Sequence, residues 1–464
     1  MSTDQLRNGF RGELLEPDDA GYEQARIVWN GMIDRRPAVI ARCRNAADVV
    51  LAVNYAREHD LLIAVRGGGH NVAGYAVCDR GMMIDLSQMN SVRVPPELDR
   101  VFVEGGATWG DVDAATTPFG RATPGGLISA TGVAGLALVG GIGWLRGKHG
   151  LSCDNIISVE LVTADGRLVR ASAAENPDLF WALRGGGGNF GVVVNFEFML
   201  HEIPPLLMFC APVYPEERAV EVLALWRDYM AGAPDEVTGL AEFSTVPDDP
   251  AYPQNCWGRR VLSLATVYDG PAETGELVTM PLRQFGEPLM DFSDRLPYRT
   301  LQTLYDGLFP KGRDRCYWKS TYLAHLRQET IEAIAAGLDR RPSEMTFASI
   351  WKFGGQLGRV AADATAFGDR SMPFMLSLDA IWSSPSNDEA NIAWVKSVWN
   401  DMQVHGTGRS YLNFPGLGEA QNLVRDAFGP DVFERLLRIK RKYDPGNLFR
   451  MNQNICEQQQ ALMG

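Results

Sequence analysis

The sequence has no C-x-x-C pair, no H-x-x-x-H or H-E-x-x-H spacing, no run of 18 apolar residues and no basic stripe. Each absence closes off a class of function. The seven cysteines, at 43, 78, 153, 210, 256, 316 and 456, are scattered and odd in number, which fits a reduced compartment better than a disulfide framework. Six histidines in no ligand spacing leave no metal site to predict. Basic side chains number 44 against 57 acidic ones, a net charge of −13, so neither nucleic acid nor an anionic membrane is an expected partner. Nothing is long and apolar enough to span a bilayer, and the polar start Met-Ser-Thr-Asp-Gln is followed by no apolar segment. The expectation is a cytoplasmic protein. No internal repeat or low-complexity segment occurs.

Glycine is what the sequence has in quantity, and its distribution divides the chain. At 464 residues two domains are expected. Residues 1–204 are glycine-rich and alternate strand and helix signals. An amphipathic helix is predicted over 46–59, with strands over 61–66, 81–86 and 101–104. Thr108 caps a helix over 108–117, with Asp111 in the capping-box position. Strands over 156–163 and 168–171 flank Asp165-Gly166, a hairpin signature. Pro177 starts a helix over 176–183. Residues 205–404 are richer in aromatics. Helical patterns over 216–230, 328–338 and 388–402 alternate with strand-like runs such as 372–382, which reads as an α+β unit with helices covering a sheet. Residues 405–464 return to the style of the first block, with a helix over 432–442 stopped by Asp444-Pro445-Gly446-Asn447.

Three glycine runs stand out in the first block. Arg66-Gly67-Gly68-Gly69-His70-Asn71 directly follows a strand. Glycines there let backbone N–H groups approach a ligand closely, and successive N–H groups suit a pyrophosphate. Gly140-Gly141-Ile142-Gly143 is the second run, and 185–191 is the third. Gly186, Gly188 and Gly191 spell G-x-G-x-x-G, but a strand pattern over 192–198 follows where a dinucleotide-binding fingerprint needs a helix. The segment around Gly147-Lys148 is no phosphate-binding P-loop, since Ile142 holds the first glycine position and His149 replaces the Ser or Thr. Any one run also suits a plain tight turn. Three in one block, one ending in His-Asn, favour a large phosphate-bearing ligand.

At these residues the chain resembles the FAD-linked oxidases of the vanillyl-alcohol oxidase and p-cresol methylhydroxylase fold, in their berberine-bridge-enzyme branch. The resemblance covers nearly the whole chain and is strongest over 36–200 and 405–455. It is carried by the Arg66–His70 loop, Pro124-Gly125-Gly126, Gly132-Val133-Ala134-Gly135, residues 150–155 and Tyr411-Leu412-Asn413-Phe414. It implies a two-part FAD-binding domain, 1–204 and 405–464. A substrate domain over 205–404 then has an antiparallel sheet under helices. It further implies that His70 carries FAD through a covalent bond to the flavin 8α-methyl. Cofactor contacts are implied for Arg66, Gly67, Gly68, Gly69 and Asn71. Pro124, Gly125, Gly132 and Gly135 would add a second wall. Gly140, Gly141, Gly143, Cys153 and Asn155 would add a third, with Gly191, Val193 and Asn413 closing the site. Many relatives have a second bond from a cysteine, but here Ile128 occupies that position. Cys153 belongs to a later motif and should touch the flavin without bonding it, so a single covalent bond is expected.

The resemblance also implies hydride transfer to flavin N5 from a C–H beside an alcohol or amine, with oxygen as acceptor and hydrogen peroxide as product. The family's usual tyrosine base falls on Phe414, which takes no proton. Tyr411, Lys352 and Gln356 are the remaining candidates. Lys352 on a strand would face opposite Trp351 and Phe353, and a lysine desolvated over a flavin could serve as base. Equally, Lys352 reads as an ordinary strand residue and Tyr411 as a packed aromatic. Trp318, Tyr322, Trp351 and Trp382 suggest a flat or apolar small-molecule substrate. An oxygenase or dehydrogenase on the same scaffold, and a non-catalytic flavin-binding protein, remain open beside the oxidase.

Overall fold

The apolar run before the first glycine loop becomes an edge of a small parallel sheet. Its strands are Val39–Arg42, Met82–Asp85 and Ile63–Arg66, joined antiparallel by Glu13–Leu15. The parallel strands are buried, as continuous apolar runs in parallel sheets are. Helix Ala46–Glu58 makes the crossover, and the Asn45 side chain caps it by accepting from the Asp48 amide at 3.1 Å. Arg66 and Asp85 end neighbouring strands at the same register, and their buried ion pair fixes where the glycine loop leaves the sheet. This computed structural model describes residues 3–414, 416–417 and 421–457; the end of the expected third block, 458–464, lies outside the described residues.

A second sheet is antiparallel and five-stranded, in the order Val92–Arg93, Arg100–Glu104, Val192–Met199, Ile156–Val162, Leu168–Ser172. The Asp165-Gly166 turn joins its last two strands, with Gly166 at φ +77°. Val192–Met199 is its central strand, so the G-x-G-x-x-G run feeds a strand, as the pattern of valines and phenylalanines indicates. The capping box at Thr108 and Asp111 forms as read.

The third sheet has nine strands, all drawn from residues 207–382 and all paired antiparallel. Helices Ala219–Gly232, Gln328–Asp339 and Asp388–Asp401 bury Trp226, Ile331, Ile334 and Val395 against one face. The class is α+β. The other face looks toward the glycine loops. Helix Pro430–Tyr443 begins two residues earlier than read, with Pro430 in its first turn. Near its end the buried Lys440 ammonium donates to the carbonyls of Asn189 at 2.7 Å and Phe449 at 2.9 Å, and pairs with Asp444 at 2.6 Å. That clip fastens the C-terminal segment onto the third glycine run. Among the described residues, no helix is long and apolar enough to cross a membrane.

Candidate active site

The open face of the nine-stranded sheet and the glycine loops enclose one long cavity. Its floor is made by residues 67–71, 131–132, 134–136, 188, 191 and 193, with 449 and 451–453 also on its wall. Its roof comes from alternate residues of four strands: Trp318, Leu240 and Glu242, Phe347, Ser349 and Trp351, and Asp379. The two-residue period of a strand puts these on one face.

Glycine is required on the floor for two different reasons. A Cβ on Gly68 would lie 2.3 Å from the Gly132 amide nitrogen, and one on Gly132 would lie 2.2 Å from that of Gly68. The two loops therefore touch backbone to backbone. Gly135 and Gly188 also line the cavity, yet a Cβ there meets no protein atom within 4 Å. Space is left where a bound molecule would lie.

His70 closes the first loop and lines the cavity. Its Nε2 is buried without a hydrogen-bond partner, and burial holds its pKa down to about 4, so the ring is neutral. A neutral imidazole presenting an unsatisfied nitrogen next to a glycine cradle fits a flavin dinucleotide bonded at this position.

The structure brings together Gly67, Gly68, Gly69, His70, Asn71, Gly132, Gly135, Gly191, Val193, Tyr411 and Asn413, all on the cavity wall. The other predicted contacts are not on that wall. Arg66 turns inward, with Nη2 at 2.5 Å and Nε at 3.0 Å from the Asp85 carboxylate. Pro124 is buried, and Gly125 and Gly143 press on each other: a Cβ on Gly143 would lie 1.7 Å from the Gly125 carbonyl oxygen. Gly140 and Gly141 take φ of +118° and +87° to turn the chain behind the floor. Asn155 bridges the carbonyls of His149 and Leu151. Cys153 donates its amide to Gly140 at 2.8 Å, and burial pushes its thiol well above the usual range. These residues shape the cradle from behind.

Neither Lys352 nor Gln356 reaches the cavity. Strand alternation gives the roof to Trp351 and turns Lys352 to the opposite side, where its ammonium donates to the Phe353 carbonyl and lies 5.7 Å from the Phe374 ring centre. Burial and the nearby Arg146 lower its pKa, but it faces no substrate space. Gln356 opens the short helix Gln356–Arg359. Lys352→Met is therefore expected to leave the rate of flavin reduction within about twofold of the wild type, because the side chain lies off the cavity wall; a hundredfold loss would return Lys352 to the chemistry. Tyr411 is buried, and its oxygen accepts from the Gly141 amide at 3.0 Å and from Asn413 Nδ2 at 2.7 Å. Burial raises its pKa, so the phenol stays protonated and locks the floor to the C-terminal segment.

Two carboxylates that the sequence reading passed over stand in the roof. Asp379 is 8% exposed; its Oδ2 accepts from Ser377 Oγ at 2.8 Å, and its Oδ1 has no partner. Trp351 Nε1 in turn donates to Ser377 Oγ at 3.1 Å. Burial pushes Asp379 up to about 7. Glu242, touched by Ser349 Oγ at 3.4 Å, is pushed up to about 8 by burial and by the charge of Asp379. No basic side chain is among the groups that act on either pKa. A signal was present in Phe374–Trp382, where one acid interrupts a run of apolar residues and serine. Around them stand Trp318, Phe347, Phe309, Tyr305 and Phe414, with Phe414 edge-on to Trp318 at 5.4 Å.

Comparison with known proteins agrees with this geometry. An FAD-binding-domain family model matches residues 37–172, and a berberine and berberine-like model matches residues 410–456. The chain is 32% identical to (R)-6-hydroxynicotine oxidase of Paenarthrobacter nicotinovorans, over 96% of this chain and 97% of that one. It is 30% identical, over 96% of each chain, to an FAD-linked oxidoreductase of Bacillus subtilis. The crystal structure of 6-hydroxy-D-nicotine oxidase from Arthrobacter nicotinovorans superposes with a TM-score of 0.88 at 30% identity, covering 98% of this chain and all of that one. A chitooligosaccharide oxidase shares the fold, at a TM-score of 0.85 and 23% identity over 97% of this chain and 98% of the other. With its glycine cradle, its Arg66–His70 loop and its C-terminal Tyr411–Phe414 segment, the chain is an enzyme of the FAD-linked oxidoreductases and belongs to their berberine-bridge-enzyme-like family.

Proposed function

We propose that this enzyme is an oxidase of a small, flat, largely apolar alcohol or amine, with FAD tethered once, through His70, and molecular oxygen as the acceptor. Residues 1–204 and 405–464 form the cofactor unit in this reading, and 205–404 the substrate unit. FAD, when bound, supplies a two-electron acceptor that oxygen can restore. The 67–69 and 132–135 loops would hold FAD through backbone contacts, and His70 would keep it from leaving.

The observation that carries the reading is Asp379. A carboxylate with a free, buried oxygen and a pKa near neutrality, in an aromatic-walled cavity opposite the glycine loops, is suited to take a proton. Asp379 would accept the O–H or N–H proton of the substrate, while the hydride of the neighbouring C–H would go to the two-electron acceptor that bound FAD supplies. Ser377 holds the other carboxylate oxygen in place. The aromatic roof excludes water and orients a planar substrate.

An anaerobic screen of alcohols, amines and sugars tests this. At least one planar alcohol or amine is expected to bleach the bound flavin, and reoxidation in air should release one hydrogen peroxide per turnover. Oxygen incorporated into the product without peroxide would replace the oxidase reading by an oxygenase. Bleaching by sugars alone would remove the planar apolar substrate.

A further inference from the structure

We infer that Trp29 is a positioning residue that sets the plane of the His70 imidazole and so governs how fast that histidine becomes bonded to FAD; the inference rests on the covalent tether proposed above. The indole of Trp29 lies flat on the imidazole, with ring centres 4.4 Å apart and planes 16° apart. Nε2 makes no hydrogen bond, and the one hydrogen bond that bears on the ring's charge is to its own residue's backbone, so the stack is the contact with another side chain that holds the ring's plane. A stacked face removes rotation about the last side-chain torsion while leaving the nitrogen edge free.

Trp29 is itself held from both sides. Its amide donates to the Gly69 carbonyl at 3.0 Å, inside the glycine loop. Its indole Nε1 donates to the Phe309 carbonyl at 3.0 Å, and its own carbonyl accepts from the Gly312 amide at 2.8 Å. The next residue repeats the arrangement. Asn30 Nδ2 donates to the carbonyls of Val72 at 2.7 Å and Cys316 at 2.9 Å, while Asn30 Oδ1 accepts from the Cys316 amide at 3.1 Å. Both residues are buried. Trp29 also meets Trp318 of the cavity roof edge-on at 5.2 Å. One short segment near the N-terminus therefore straps the His70 loop to the 309–316 stretch beneath the roof.

The bond itself balances with oxygen as the oxidant. A His70 ring nitrogen joins a methyl carbon of the flavin ring system. One C–H of that methyl and the imidazole N–H are lost, and two electrons and two protons pass to oxygen as hydrogen peroxide. Forming this C–N bond needs the nitrogen lone pair aimed at the carbon, and a ring free to rotate loses orientation worth roughly 10–100-fold in rate.

The test uses the full chain produced under riboflavin limitation and then mixed with FAD in air. Covalent attachment is followed by flavin fluorescence on the denatured polypeptide and by intact mass. Total FAD bound and thermal stability are measured in parallel. Trp29→Leu keeps an apolar side chain, smaller and without a flat face, and attachment is expected to be about tenfold slower or worse at near-normal FAD binding. Trp29→Phe keeps a smaller face and should fall between Trp29→Leu and the wild type, a partial rescue that a purely structural role would not produce. Trp29→Leu attaching at the wild-type rate would overturn the role of Trp29 alone. If that variant takes up no FAD, Trp29→Phe decides, since an unchanged attachment rate with a smaller ring would also overturn it. Wild-type protein that releases all its flavin on denaturation would overturn the tether and the inference together.

Discussion

Asp379→Asn is expected to slow anaerobic flavin reduction by about 10²–10⁴-fold, the range general-base removal produces. Asparagine keeps the shape of the side chain and can still accept from Ser377 Oγ, so the roof should fold unchanged and substrate binding should shift little. What is lost is the oxygen that takes a proton. The pH dependence separates this from a packing effect. The base acts only as a carboxylate, and burial raises its pKa to about 7. Reduction by a substrate that does not itself ionise nearby should therefore fall as pH drops through about 7 and level off above it. In Asp379→Asn that limb should vanish. Glu242 adds a second acid in the same cavity at about 8, raised partly by the charge of Asp379, so the two titrate as a pair and the limb is broad. Wild-type reduction rates in the asparagine variant, with the limb intact, would take Asp379 out of the chemistry.

Two glycine substitutions should separate fold from ligand. Gly68→Ala puts a methyl 2.3 Å from the Gly132 nitrogen and 2.6 Å from its Cα. Both are backbone atoms of a facing loop, and neither can swing aside. The loops must part, at a cost of about 3 kcal/mol, the upper end of overpacking. The purified variant is expected to melt several degrees lower and to hold less than about a tenth of the wild-type FAD, because the floor against which the cofactor rests is displaced. Gly135→Ala behaves in the opposite way. It lies in helix Val133–Ala137, where alanine is favoured over glycine by up to about 1 kcal/mol, and its methyl meets no protein atom within 4 Å. The protein without FAD should melt at or slightly above the wild-type temperature, while FAD uptake falls because the methyl enters the cavity. Full FAD occupancy in Gly135→Ala would show that this wall does not face the cofactor.

The parts of this protein legible in the sequence are those written within a few consecutive residues. The Arg66–His70 loop, the capping box at Thr108 and Asp111, the Asp165-Gly166 hairpin and the strand after Gly191 each follow from a local pattern. The reason is that turn geometry, helix capping and strand alternation are decided by neighbours along the chain. Local pattern also shows which residues a glycine-rich loop contains, but not which side of the loop a ligand occupies. Arg66 is the example. It adjoins three cavity residues in sequence, yet its guanidinium goes inward, because Asp85 of the neighbouring strand lies at its register and a buried charge must be paired.

The roof carries the same lesson further. Lys352 and Trp351 are consecutive, and only the pairing of the sheet decides that the tryptophan faces the cavity and the lysine does not. Glu242, Ser349 and Ser377 form one row because three strands pair in that register, though they are spread over more than a hundred residues of sequence. Asp379 stands one alternate position beyond that row, on the same face. A one-residue slip in the strand of Glu242 or that of Asp379 would send its acid to the helix-covered side. The histidine loop and the glycine runs are written in the chain, since backbone conformation there depends on residues that are adjacent along it. The tertiary structure alone decided the acids, because what a strand residue faces is set by long-range pairing with strands whose partners no local pattern names.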